Sequence, residues 1–261
     1  MSFLKAIYKY KNEILFLSIQ NVKIQYLQTV FGIAWAVIQP LAYVFTLWFF
    51  FVFGLRSGDP INELPFIIFL FSGYMCWNFI SAVVTSGSKI FQTNAMLVKT
   101  IKFPVLALPL INVLSKLYVH IGVMFFVIII FMINGAYPDI YYINLIYYLF
   151  TLVVFLTALS FFLSTIAIMV KDLPMLVNSL MMPLFWLTPV MWEATGLLKY
   201  IMMVVNPFYY FVLGYQDTFV YKNFFWETPI YDVYIWLIIE LLLLVGLKLY
   251  QRLRPIMADV I

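Results

Sequence analysis

The sequence predicts an all-helical polytopic membrane protein: six transmembrane helices, an N-terminal amphipathic interface helix, and a re-entrant stretch before the last span. Three observations carry the prediction. The 261 residues are 66% hydrophobic and only 10% charged, against about 45–50% apolar and about 25% charged in soluble domains. Six runs approach the roughly 20 mostly apolar residues that cross a bilayer. The charges outside those runs are distributed unequally between alternate loops. The same composition excludes disorder, whose signature is low hydrophobicity with high net charge. Cys76 is the single cysteine, which excludes a disulfide scaffold. A net charge of +4 beside long apolar runs points to a lipid bilayer rather than to nucleic acid.

Residues 1–28 read as the interface helix. Phe3, Ile7, Tyr10, Ile14 and Leu17 recur every three or four residues and share a face, with Lys5, Lys9 and Asn12 on the other. Such a helix lies in the headgroup layer with its lysines near anionic lipid. The first strongly apolar run begins near residue 30, too late and too long for a signal peptide. Gly32 lies where this helix turns into the first span, and is expected to let helices approach closely. The spans are expected at Gly32–Phe53, Pro65–Thr85, Leu106–Ile133, Ile143–Val170, Leu176–Trp192 and Pro229–Tyr250. The fifth is short and rich in proline. Leu197–Val220 is apolar but carries Lys199, Pro207 and Asp217. It reads as re-entrant or interfacial, since irregular backbone survives at membrane depth only inside protein or beside water. One membrane domain, residues 1–261, is the economical reading.

Orientation follows from the basic residues. Lys5, Lys9, Lys11, Lys23, Lys89, Lys99, Lys102, Lys116, Lys171, Lys248, Arg252 and Arg254 fall on one side, which is 12 of the 15 basic residues. Only Arg56, Lys199 and Lys222 fall on the other, with Asp59, Glu63, Asp139, Glu193, Asp217, Glu227 and Asp232. The bias places both termini in the cytoplasm. An even number of spans follows.

The chain offers little chemistry of its own. It contains no G-x-x-x-x-G-K-[ST] phosphate loop and no H-E-x-x-H or paired-cysteine pattern, so neither nucleotide binding of that kind nor a metal centre is expected. No serine sits in a G-x-S-x-G elbow. His120, the single histidine, falls inside the third span and is expected to join two helices by a hydrogen bond. Glu240 falls midway along the sixth span, where an acid usually faces the protein interior. It either lines a polar pathway or pairs with a polar group on a neighbouring helix. Trp77, Trp226 and Trp236 are candidates for the interfacial belt. Trp35, Tyr43, Trp48, Phe185 and Trp186 lie deeper, and are candidates for an aromatic translocation path whose rings stack on sugars; packing against lipid is the alternative.

Three stretches then combine: Lys23-Ile-Gln-Tyr-Leu-Gln-Thr-Val-Phe-Gly-Ile-Ala-Trp35 with Gln39-Pro40; Asn94-Ala-Met-Leu-Val-Lys-Thr-Ile-Lys-Phe-Pro104; and Lys171-Asp172-Leu173 with Thr188-Pro189-Val190 and Asn206-Pro207. In this order, on spans of this polarity, the chain resembles the membrane subunit of type-2 ABC exporters of lipid-linked polysaccharides: O-antigen, capsule and teichoic acid permeases. The run Gly214-Tyr-Gln-Asp-Thr-Phe through Phe224-Phe-Trp-Glu227 looks closer to the teichoic acid permeases than to the O-antigen ones. Lysine at 171, where relatives usually have arginine, and glutamine at 216, where many have arginine, are departures.

The resemblance implies a homodimer with two copies of a separate cytoplasmic ATPase, which holds the ATP and Mg2+; no cofactor is expected in this chain. It implies export of an undecaprenyl-linked polymer, wall teichoic acid first and O-antigen or capsular polysaccharide as the alternative, across a bacterial cytoplasmic membrane. It also implies that Ser88–Lys102 couples to the ATPase through Asn94, Met96, Leu97, Lys99, Lys102 and Phe103. Lys171 and Asp172 would form a second contact, and the Pro189–Val220 region two gate helices. Two rivals remain. A drug or small-lipid exporter often carries a large external domain between its first two spans, where this chain has only Gly54–Leu64. A membrane-embedded glycosyltransferase or acyltransferase would need a surface acid or histidine, and Asp139 and Glu193 stand isolated.

Overall fold

The computed structural model describes residues 9–26, 29–54, 60–62, 64–100 and 105–260. Phe3, Lys5, Ile7, Arg56, Asp59, Glu63, Lys102, Phe103 and Pro104 lie outside the described residues, as does the side chain of Lys99. Helices dominate: α1 (Lys11–Tyr26), α2 (Trp35–Phe49), α3 (Phe66–Gly87), α4 (Ile90–Thr93), α5 (Ala95–Thr100), α6 (Leu108–Ile133), α7 (Ile143–Met169), α8 (Leu173–Leu187), α9 (Gly196–Val205), α10 (Pro207–Gln216) and α11 (Pro229–Val260).

Among the described residues five helical segments are long and apolar enough to cross a membrane: Gly32–Gly54, Phe66–Gly87, Leu108–Ile133, Ile140–Met169 and Pro229–Pro255. The protein is a multi-pass membrane protein. The fifth expected span differs. Where Leu176–Trp192 is predicted, α8 covers Leu173–Leu187, 15 residues, about 22 Å at 1.5 Å per residue. It stops because Pro189 forces the preceding Thr188 into extended backbone, ψ 132°.

Two helices are wrapped by the others. α3 buries most of its surface against α6, α10, α7, α2 and α8, and α7 packs along α11 and against α3 and α6. α2, α6 and α11 keep long apolar faces outward, such as Val233, Leu237, Leu241 and Leu244 on α11. A main cluster around α3 and α7 holds Phe69, Phe79, Phe155, Phe211 and Tyr215. A second cluster, at the α4–α5 end, gathers Ile14 of α1, Phe91 of α4, Phe161 of α7 and Tyr250 of α11.

Several expectations are corrected here. α1 buries Ile14, Ser18 and Val22 against α6, yet Leu15, Phe16, Ile19 and Ile24 point outward. It is apolar on two faces rather than one. Gly32 makes no close approach, because a Cβ there would meet nothing within 4 Å. Its role is conformational: φ is +54°, a left-handed turn that glycine adopts without strain. Trp77 is not interfacial. It is 4% exposed and packs against Phe185 and Phe208 in the core. Glu240 turns outward on α11, and no partner faces it among the described residues. It borders a shallow apolar groove with Val154, Trp236 and Leu243. A twelfth-position acid on a long helix shows its depth in the sequence but not its azimuth.

Candidate functional site

Two adjoining cavities, each of about 270 Å³, indent the side of the bundle. The first lies between α1, α2, α3 and α6, and the second between α2, α3 and α8. Tyr43, Tyr74 and Asn78 line both, so the two form one groove. Tyr43 stacks on Tyr74 with centroids 5.0 Å apart. Phe185 stands edge-on to Tyr74 at 6.2 Å and reaches Tyr43 at 6.5 Å. Amides join the rings on the walls: Gln39 and Asn78 in the first cavity, Asn78 and Asn178 in the second. The groove thus offers ring faces, hydroxyls and amides together, a mixture that can stack on and hydrogen-bond polar rings.

Of the five aromatics expected on a path, Tyr43 and Phe185 meet in this groove. Trp35 is exposed and edges Phe31 at 5.3 Å. Trp48 packs toward the far end of α2 against Phe45 and Phe53. Trp186 is exposed, and its carbonyl accepts a hydrogen bond from Trp192 Nε1 at 3.0 Å. Sequence reasoning missed Tyr74, Asn78, Asn178 and Lys116. Their signal was available: polar side chains inside otherwise apolar runs.

At one end of the bundle α9 and α10 form a hairpin. The segments flanking it close on each other, since Tyr221 Oη donates to Glu193 Oε1 at 2.9 Å. Phe208, at its apex, reaches Trp77 of α3 and Phe155 of α7, each at 6.0 Å. Asn206 caps α10 by accepting from Phe208 N at 3.1 Å and donates to Thr188 Oγ1 at 2.7 Å. Gln216, buried, donates to the Pro189 carbonyl at 3.1 Å. A Cβ on Gly73 of α3 would come within 2.7 Å of the Val190 carbonyl, so glycine is required for this close packing. The Thr188-Pro189-Val190 and Asn206-Pro207 motifs are therefore two halves of one clamp. His120 and Tyr215 complete the tie to α6, with Nε2 and Oη 2.8 Å apart.

The hairpin's return is anchored by charge. Lys222, left-handed at φ 58°, pairs with Asp139 at 2.6 Å. Asn144 Nδ2 donates to the Asn223 carbonyl and Asn62 Nδ2 to the Val220 carbonyl, at 2.8 and 2.7 Å. Asp217 accepts from Asn223 Nδ2 at 2.9 Å. Burial pushes its carboxyl up to about 6, against the opposing pull of that hydrogen bond and of Lys199.

The opposite end is built differently. α4 and α5 are short, broken at Asn94, whose amide donates back to the Ile90 carbonyl at 2.8 Å. Gln92 Nε2 ties α4 to α7 through the Ala167 carbonyl at 2.9 Å. Leu97 packs inward on the second apolar cluster, whereas Met96 is 75% exposed. Lys171 and Asp172 stand exposed in the turn between α7 and α8. The turn and α4 are thereby neighbours at one end.

Residues 12–220, from α1 through α10 and the π turn after it, match the ABC-2 type transporter family. The chain belongs to that family. It is similar to O-antigen export system permease proteins RfbA of Klebsiella pneumoniae. One is 28% identical over 97 residues, 37% of this chain and 36% of that protein, so the match spans about a third of that relative's length. Another is 21% identical over 246 residues, 93% of this chain and 92% of that protein. The groove, the hairpin and the α4–α5 end all fall inside the family-matched part of this ABC-2 chain. α11, with Glu240, falls outside it.

Proposed function

We propose that this ABC-2 chain is the membrane subunit of a bacterial exporter that carries a lipid-linked polysaccharide from the cytoplasm to the outer face. It acts as a homodimer with two copies of a separate cytoplasmic ATPase, which binds ATP and Mg2+. The observation that carries the reading is the groove. Its aromatic and amide walls come from α1, α2, α3, α6 and α8 of one chain. A second copy facing the first would turn two such grooves into one enclosed passage. α8 then serves as the fifth of six spans, completed at depth by the α9–α10 hairpin acting as a re-entrant gate, and both termini are cytoplasmic.

Met96, Leu97, Lys99, Lys102, Phe103, Lys171 and Asp172 belong to the ATPase-facing end in this reading. ATP binding favours one of two states by contacting that end more tightly in it, and α7 carries the change toward the gate. The relatives' names support O-antigen as the polymer. The run Gly214–Phe219 with Phe224–Glu227 supports wall teichoic acid as the second reading. Deletion of the gene tests the function. Surface polymer should vanish, undecaprenyl-linked polymer should build up inside, and the tagged chain should copurify with a phosphate-loop ATPase. Unchanged surface polymer in the deletion strain would refute the proposal.

A further inference from the structure

Lys116 is a cation placed inside a span, and no carboxylate pairs with it among the described residues. It sits on α6 eight residues past Leu108, about 12 Å along the helix axis. It lines the first cavity of the groove, half-buried. Its ammonium donates to a neutral acceptor, Gln25 Oε1 of α1, at 2.7 Å. Among the described residues no aspartate or glutamate borders that cavity. An ion inside a span is costly, and is commonly paired or marks a substrate pathway. Here the walls hold more donors instead. The amides of Gln39 and Asn78 and the hydroxyls of Tyr43 and Tyr74 face the same space, and no hydrogen bond to them is found among the described residues. His120, also on the wall, is engaged with Tyr215.

We propose that this cavity binds the phosphate headgroup of an amphiphile, with Lys116 as its principal cation and Gln39 and Asn78 as neutral donors. A cation without an anion, ringed by donors, is complementary to a multiply charged oxyanion, and lysine binds phosphate as a point charge. The amphiphile follows from the surroundings. Part of the cavity wall comes from α1 and α2, which carry Ile24, Trp35 and Ile38 exposed next in sequence to the lining residues Gln25, Ala36 and Gln39. An anionic head can occupy the cavity while its hydrocarbon lies along those faces. The identity of the amphiphile as the substrate's polyprenyl carrier rests on the proposed export function; the phosphate site does not.

The test uses the full-length chain in nanodiscs of phosphatidylcholine, with undecaprenyl phosphate, undecaprenol and inorganic pyrophosphate as probes. Undecaprenyl phosphate should bind at least tenfold more tightly than undecaprenol. Lys116→Met should lose that preference, Lys116→Arg should keep it within threefold, and Lys248→Met, on the exposed face of α11, should match the parent. Monodisperse elution and unchanged melting certify that each variant is folded. Gln39→Leu, at an exposed wall position, should weaken binding severalfold and gives a second variant independent of Lys116. Competition by inorganic pyrophosphate would assign the affinity to the headgroup; its failure to compete, with undecaprenyl phosphate still preferred, would assign it to head and tail together. Both outcomes keep the site. Equal binding of undecaprenol and undecaprenyl phosphate, or an unaltered preference in Lys116→Met, would overturn it. Export lost in the deletion strain but restored in full by Lys116→Met would refute the site while sparing the function. Phosphate binding with no polymer phenotype would do the reverse.

Discussion

The two ends of the bundle are held by different forces. At the α9–α10 end, side chains reach across long stretches of sequence to bond one another or distant carbonyls: Asn206 to Thr188, Gln216 to Pro189, Asn62 to Val220, Asn144 to Asn223. At the α4–α5 end two long-range amides, Gln92 to Ala167 and Asn112 to Ser86, accompany a cluster of apolar side chains. Directional bonds fix one geometry and are costly to leave half-made. Apolar contacts are non-directional and tolerate sliding. An exporter of the proposed kind needs this division: an outer structure that returns to one shape, and an inner surface that can follow its motor.

The first prediction breaks the stitched end. Asn206→Leu removes a helix cap, about 1 kcal/mol, and the bond to Thr188, a further ~0.5–1.5 kcal/mol, while the Thr188 hydroxyl keeps its bond to the Leu184 carbonyl. Chemical denaturation in detergent should show the summed loss; a loss below 1 kcal/mol would mean that the clamp is not what holds the hairpin. The second prediction separates the functions of two adjacent residues at the other end. Leu97→Asp puts a charge against the apolar cluster and should destabilise the chain by about 2–3 kcal/mol. Met96→Asp should leave melting unchanged yet abolish copurification of the ATPase. If both variants melt alike, the inward and outward assignments of these neighbours are wrong.

The third prediction uses pH. The folded carboxyl of Asp217 titrates near 6 rather than the ordinary 3.8, so the folded state binds the proton more tightly. This group's contribution is therefore present below about pH 4 and is lost as pH rises through 6, up to about 2–3 kcal/mol at 1.36 kcal/mol per unit. Asp217→Asn should lose less stability than the parent between pH 4.5 and 7.5. Equal losses in the two proteins would rule out Asp217 as the titrating group. The smallest effect belongs to Lys222→Met. Its pair with Asp139 is about a third exposed, so the cost should lie within roughly 0–1 kcal/mol. A cost of several kcal/mol would make this pair a principal tie of the hairpin.

Hydropathy made the long helices legible, because length and apolarity are properties of sequence alone. The same signal misjudged α8, where a proline two residues past Leu187 ends the helix early. Azimuth was the harder quantity. Trp77 and Glu240 each sit among apolar neighbours on a long helix, so hydropathy alone did not mark which side of it faced protein, and each points opposite to the expectation. The groove was half-visible. Tyr43 and Phe185 were named, but their assembly with Tyr74 and Asn78 depends on three helices meeting, which periodicity within any one of them does not encode. The clamp motifs, by contrast, were readable as positions long before their contacts explained them.

The two apolar faces of α1 bear on vertical position. One face is fastened to α6, while the other, with Phe16 and Ile24, seeks hydrocarbon. A helix of this kind works as a float, fixing the height at which the whole bundle rides in the membrane. The Gln25 that holds Lys116 lies at its tip, so the cavity floor is levelled against the lipid surface by the same element. Bilayer thickness then becomes a variable of the transporter: lipids with longer or shorter acyl chains, which helices accommodate at a modest cost per ångström, would raise or lower the waiting ammonium relative to the phosphate plane.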